Sequence, residues 1–285
     1  MKRVAAIISA LLCLSAVSRA QVNLEEEFFS LPDSVTTSYL DSVKVNIAAP
    51  NDYWMVGVFG GASAQYGYFN PDRLVRWQLQ YPVYGFSLVR HYTMFGLFPN
   101  MGMEMGAQLN YEGYEFKKNS ETGSRFTESG AYKAMITVPE AFFLSHFHLD
   151  MGSHFKVLAK VGIYGGYRWK ITRVLDEQYQ GIETYEQYVN EFRDYDKRLT
   201  YGAQGGLGLG LMFNPFEFHL MANVKWGWSS FWQPDYISPY YYRFAYPLDA
   251  TVTFGLYYQL TPRYGHTRAQ LKKLARKMVA EDQNQ

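Results

Sequence analysis

The feature that most constrains this chain is a period of two. Between Phe155 and Tyr258, long segments place an apolar side chain at every second position, with polar residues or glycine between, and no segment carries the helical spacing. In 155–169, Phe155, Val157, Ala159, Val161, Ile163, Tyr167 and Trp169 share one face, and Lys156, Lys160, Tyr164 and Arg168 share the other. In 216–228, Phe216, Phe218, Leu220, Ala222, Val224, Trp226 and Trp228 oppose Glu217, His219, Asn223 and Lys225. Leu248–Leu260 repeats the pattern, with Asp249 on the polar side. Side chains of a strand alternate faces, so each segment specifies one apolar and one polar face. An apolar outside and a polar inside are what a transmembrane β-barrel requires.

The same rule places further strands at 54–66, 82–93, 100–116, 131–143 and 200–213, eight in all with the three above. In 54–66, Trp54, Val56 and Val58 face outward and Gly57, Ser63 and Gln65 inward; in 100–116, Met101, Met103 and Met105 oppose Glu104, Gln108, Asn110 and Glu112. The segment 131–143 is the least regular, and Pro139 suggests a bulge or rim there. The expected fold is all-β: an eight-stranded antiparallel transmembrane barrel over 53–260. Long connections around Tyr68–Tyr81, Lys117–Gly130, Thr172–Leu199 and Phe231–Pro247 alternate with short ones around Phe95–Pro99, Leu144–His154 and Asn214–Pro215. That alternation matches extracellular loops and periplasmic turns, and puts both termini in the periplasm. A soluble lipocalin-like barrel or sandwich fits less well, because the strands are long and tryptophan and tyrosine sit at the ends of their apolar faces.

Residues 1–20 read as a secretory signal: Lys2 and Arg3, an apolar stretch, then Ser18-Arg19-Ala20. Cys13, the chain's one cysteine, lies inside it, so the mature chain has no thiol chemistry. Without Lys2, Arg3 and Arg19, 24 basic residues face 26 acidic ones, and a formal charge of −2 argues against a nucleic-acid partner. A mean hydropathy of −0.25 with 18% aromatic residues suits a barrel, whose lipid-facing half is diluted by lumen and loop. Residues 21–52 read as a periplasmic lead-in, and 261–285 as a basic tail with a helix over 267–280. That helix would set Leu271, Leu274 and Met278 on one stripe, with Arg268, Lys272, Lys273, Arg276 and Lys277 around it as a surface for a periplasmic partner or anionic lipid.

With the strands laid out, the chain resembles the PorT-like outer-membrane β-barrel family of the Bacteroidota over roughly 53–260. The resemblance rests on MITVPEAFFLSHFHLDMGSHFKVLAKVGIYGGYRW with Lys170, on YGAQGGLGLGLMFNPFEFHLMANVKWGW at 201–228, and on the closing FGLYYQL at 254–260. Glu140 departs from the leucine or valine that often follows the family's proline. The resemblance implies an outer-membrane location; one member is needed for a system that secretes proteases, and no catalytic residues come with the family.

The inward face gathers Glu104, Gln108, Glu112, Lys156, Lys160, Arg168, Glu217, His219, Lys225 and Asp249. An eight-stranded lumen is just wide enough for side chains, so these groups are expected to pair into a plug, with a narrow ion path as the alternative. His146, His148, Asp150 and His154 fall in LSHFHLDMGSH, expected as a turn at the periplasmic rim. Imidazole beside carboxylate also serves acid–base or metal chemistry, but no convergent set is legible and neither Ser145 nor Ser153 sits in a nucleophile elbow, so no metal and no cofactor is expected. The tyrosine-rich loops VLDEQYQGIETYEQYVNEFRDYDK and YISPYYYRFAYP suit either the headgroup zone or a binding surface, and both readings stay open. The functional expectation is a non-enzymatic barrel, in contact with outer-membrane lipid and a periplasmic or outer-membrane protein partner. It acts as accessory or scaffold of an outer-membrane assembly, with protein secretion implied by the resemblance. A lipid-modifying hydrolase and a small pore are the alternatives.

Overall fold

The computed structural model describes residues 53–261, apart from 95–97, 122, 152–153 and 238–239. Eight long strands form one antiparallel ring: β1 (Tyr53–Asn70), β3 (Gln78–Met94), β4 (Phe98–Phe116), β5 (Ala131–Met151), β6 (Phe155–Tyr167), β8 (Leu199–Phe213), β9 (Phe216–Gly227) and β10 (Phe244–Gln259). Each pairs with the next, and β1 pairs with β10 from Met55↔Gln259 to Asn70↔Phe244, which closes the sheet. Two short pieces extend the wall: β2 (Val75–Arg76) on β4, and β7 (Lys170–Leu175) on β5. An up-and-down closure leaves no long unpaired edge.

Alternation decides which side chains line the inside. In β9, Phe216, Leu220, Val224 and Trp226 are exposed, whereas Glu217, His219, Met221, Asn223 and Lys225 are buried. Around the ring the exterior presents Val58, Phe86, Met105, Phe143, Ile163, Leu207, Val252 and Phe254. Aromatic side chains rim this surface: Trp54, crossed by the Arg90 guanidinium at 5.0 Å, lies at the short-turn end, and Tyr68, Trp169, Trp226 and Trp228 lie toward the long loops.

The expected strands and loops need three adjustments. The strand placed at 131–143 runs on to Met151, taking in residues 144–151 of the segment expected as a turn at Leu144–His154. Its irregular polarity has a cause: Ile136, Val138, Phe142 and Leu144 point inward and are apolar, because they fill the lumen, so both faces are hydrophobic there. Pro139 lies at neither a rim nor a bulge of the β4 ladder; it falls between Thr137, paired to β7, and Glu140, paired to β6, where that side of the ladder lacks a rung. Finally, β1 and β3 continue past their expected ends, leaving only 71–77 between them. A bulge lies between the Gly61↔Val83 and Ser63↔Gln80 pairs, and Pro82 occupies it.

Candidate functional site

The lumen is filled by layers of hydrogen-bonded charge. At the short-turn end, one carboxylate, Glu217, is the hub. Its Oε1 accepts from Tyr53 (2.9 Å) and Gln259 (2.9 Å), and its Oε2 accepts from Lys156 (2.7 Å) and His219 (3.2 Å). Four strands thus meet on one group, and Lys156 also donates to the Tyr53 hydroxyl at 2.7 Å. One layer further, Lys160 pairs with Glu104, which accepts a 3.4 Å bond from Tyr257. Next, Lys225 donates to Glu140 (2.5 Å) and to Asp249 (3.4 Å), and Gln108 donates to the other oxygen of Glu140 (2.8 Å). At the long-loop end Glu112 accepts from Arg168 Nε (2.8 Å) and from Thr200 (2.6 Å).

All ten residues singled out for the lumen, Glu104, Gln108, Glu112, Lys156, Lys160, Arg168, Glu217, His219, Lys225 and Asp249, face inward and are at most 8% exposed. Glu140 joins them at 3% and was missed, because the apolar residues around it hide the strand's polarity. Charges buried this deeply are tolerated when paired, and each of the lysines, Arg168 and the carboxylates here has an oppositely charged partner, although Asp249 Oδ1 and His219 Nδ1 accept or donate no hydrogen bond among the described residues. Between the Glu104 and Gln108 layers a cavity of about 20 Å³ remains. A single water needs roughly 10–15 Å³.

The histidines are placed differently from expectation. His146 and His148 are not at a rim turn: they lie in β5 with their rings in the lumen, 0% and 4% exposed. There they meet His91, also missed, whose ring centroid lies 4.9 Å from that of His146 and 4.5 Å from that of His148. His91 stacks on Tyr53 at 4.5 Å, and His146 reaches toward His219 at 6.1 Å and Glu104 at 3.7 Å. Extending the alternation of β3 from Ser87 through Val89 to His91 would have found the third ring. Among the described residues no three histidine, cysteine or acidic side chains converge to hold a metal. Ser145 takes the opposite, outward parity of β5, so it cannot act with His146 or His148. His154 is exposed, beside Phe213.

The long-loop mouth is capped. Phe69, Tyr114, Phe116, Ile136, Phe231 and Trp232 form one buried cluster under the 176–198 and 228–243 loops. Arg168 reaches through it, donating to the carbonyls of Lys197 (2.9 Å), Ser230 (2.8 Å) and Ser229 (3.2 Å). Arg173 holds the carbonyls of Tyr188 (2.7 Å) and Glu191 (2.6 Å) and the Asp196 carboxylate (2.5 Å). Arg243 pairs with Glu128 at 2.7 Å, and Tyr236 donates to the same carboxylate. Burial and the Glu128 charge hold the Tyr236 hydroxyl above the ordinary tyrosine range. The loop tyrosines divide: Tyr195 and Tyr236 stack at 4.2 Å as packing, while Tyr240 is 93% exposed. The segments expected as signal, lead-in and basic helix, including Arg268, Lys272, Lys273, Arg276 and Lys277, lie outside the described residues.

No family model and no curated protein matches the chain. Solved structures similar to it include Neisserial surface protein A, at 8% identity and a TM-score of 0.40 over 72% of this chain and 96% of the other. The outer-membrane protein OprG from Pseudomonas aeruginosa is 11% identical at 0.40, over 76% and 100%. The outer-membrane protease OmpT from Escherichia coli is 9% identical at 0.33, over 74% and 97%. The likeness brings no activity with it, and the chain is a closed eight-stranded antiparallel β-barrel.

Proposed function

We propose that this protein is an integral outer-membrane β-barrel with both termini in the periplasm, sealed to ions, acting as an accessory or scaffold of an outer-membrane assembly. The observation that carries this reading is the contrast between an apolar exterior and a lumen crossed by buried ion pairs. An apolar wall rimmed by aromatic side chains suits hydrocarbon bounded by headgroups, and strands of 12 to 21 residues exceed the roughly 9–11 that a tilted span needs. Short turns on the side where Tyr53 and Gln259 end support a periplasmic placement of that side. A lumen occupied by paired side chains, with a cavity for about one water between two of its layers, supports a structural role over a pore, and the opposed parities of Ser145 and His146 speak against a serine hydrolase built on that strand. The secretion assignment is supported by the PorT-like resemblance of 135–170, 201–228 and 254–260.

The test is crosslinking and affinity purification from native outer membranes with full-length protein and with protein lacking 263–285. Secretion or envelope-assembly components recovered only with the full chain are the expected result. Equal recovery from both would remove the periplasmic-end scaffold, and stepwise current in a planar bilayer would remove the sealed lumen.

A further inference from the structure

The loop layer holds a small open pocket of about 250 Å³ between the Ser129–Gly130 turn and the 176–198 loop. Its most informative residue is Arg193. This side chain is only 9% exposed, yet among the described residues no carboxylate lies within ion-pair distance of its guanidinium. Its Nη1 donates to the Tyr195 hydroxyl (2.9 Å) and its Nη2 to the Ser129 carbonyl (3.0 Å), both neutral acceptors. Of the nearby carboxylates, Glu128 binds Arg243 and Tyr236, Asp196 binds the Arg173 guanidinium and the backbone N–H of Arg193, and Asp194 lines the pocket without an ion pair to the Arg193 guanidinium. A desolvated guanidinium bonded only to neutral groups leaves its charge uncompensated, and an anion entering the pocket would supply the missing counter-charge.

The rest of the lining narrows the anion's identity. The guanidinium lies 5.2 Å from the centre of the Tyr188 ring, and Tyr185 adds a second aromatic face. Flat amphipathic rings suit the faces of a sugar ring. Asp194, exposed at the mouth, and Thr184 accept hydroxyl protons, and the carboxylate of Asp194 would repel a multiply charged ligand. The volume lies just below the roughly 300–1,000 Å³ of ordinary small-molecule sites, which limits the occupant to a single compact unit.

The pocket is also prebuilt. Glu128 and Ala131 exchange backbone hydrogen bonds of 2.8 and 3.1 Å around a turn in which Ser129 (φ 50°) and Gly130 (φ 81°) are both left-handed. At Gly130 a Cβ would come within 2.7 Å of the Tyr185 ring, so the ring's position depends on glycine there. We propose that this pocket binds one saccharide unit carrying a single carboxylate or sulfate, with Arg193 on the acidic group, Tyr185 and Tyr188 on the ring face, and Asp194 on the hydroxyls. The site belongs to the loop layer and stands whether or not the barrel serves an assembly.

The experiment is isothermal titration calorimetry on the full chain in detergent micelles with D-glucuronate, sulfated glucose and D-glucose. One or both charged sugars should bind saturably, with neutral glucose weaker by roughly tenfold, as one charge-assisted contact provides. Whether the carboxylate or the sulfate binds better assigns the acidic group. Arg193→Gln should weaken the charged sugar by roughly tenfold or more, with Arg193→Lys intermediate, since lysine keeps the charge and loses the fork. Folding of each variant is read from heat-modifiable electrophoretic mobility; if Arg193→Gln fails it, Tyr188→Ala, expected to weaken binding severalfold, carries the same test. No saturable binding of either charged sugar up to about 10 mM, glucose binding as well as glucuronate, or wild-type affinity in the variant that folds would overturn the proposal.

Discussion

Replacing Arg168 by methionine tests whether the lumen network and the loop cap form one unit. The guanidinium is fully buried and makes four hydrogen bonds: one to Glu112 at 2.8 Å, and three to the carbonyls of Lys197, Ser230 and Ser229. Methionine fills similar volume without donors, leaving Glu112, among the described residues, with Thr200 alone and three loop carbonyls without this donor. Breaking one side of a buried ion pair costs about 3–5 kcal/mol, because the remaining charge stays desolvated. With a urea slope near 3 kcal/mol per molar for a domain of this size, the unfolding midpoint should fall by about 1–2 M. Tryptophan fluorescence in detergent micelles reads the midpoint, and limited proteolysis reads the loops, which should become cleavable near Lys197 and Ser229 before the barrel melts. Adding Glu112→Gln should restore part of the loss, since a neutral amide no longer needs a counter-charge. A midpoint within about 0.2 M of wild type, or loops as resistant as before, would refute the idea that Arg168 ties the cap to the lumen.

Three further outcomes follow from the same geometry. Lys225→Met should destabilise the barrel by about 3–5 kcal/mol, and the double variant with Glu140→Gln should recover much of that in the same urea titration; no coupling in the cycle would contradict the 2.5 Å pairing. Gly57→Ala should cost about 1–3 kcal/mol, because the new Cβ would overlap the Tyr257 ring, and Gly57→Ala with Tyr257→Leu should be less affected than Gly57→Ala alone. Tyr236 titrates above the free-tyrosine value of 10.0 in the folded loop, so its contribution is complete below that value and is lost as pH rises through the raised one. Protease resistance of the 228–243 loop should therefore fall on alkalinisation above about pH 10, and Tyr236→Phe should flatten that fall.

The side-chain filling of the lumen explains why polar and apolar readings of one strand can conflict. Where the inside of the barrel is lined by carboxylates and lysines, as along β9, alternation of polarity is plain. Along β5 the inward Ile136, Val138, Phe142 and Leu144 support the cap and fill the space between charge layers, so polarity stops reporting direction. That is how a strand of 21 residues looks like one of 13 followed by a histidine-rich turn. The burial of Glu140 next to Lys225 also shows that a charged residue after a proline can belong inside.

The alternation of side chains determined, without any structure, that this chain closes into a barrel, which face of β1, β4, β6, β8, β9 and β10 points inward, and that the inside is charged. Those conclusions need only parity, which is a local property of the extended backbone. Tertiary structure alone decided which charges meet. Lys156 and Glu217 are 61 positions apart and Glu112 and Arg168 are 56 apart, and their pairing depends on how the strands are staggered around the ring. The same stagger brings His91 to His146 and His148 and folds two tyrosine-rich loops over one mouth, where, among the described residues, the buried Arg193 guanidinium has no ion-paired carboxylate. Register between distant strands is set by closure of the whole sheet, and no short stretch of sequence carries that information.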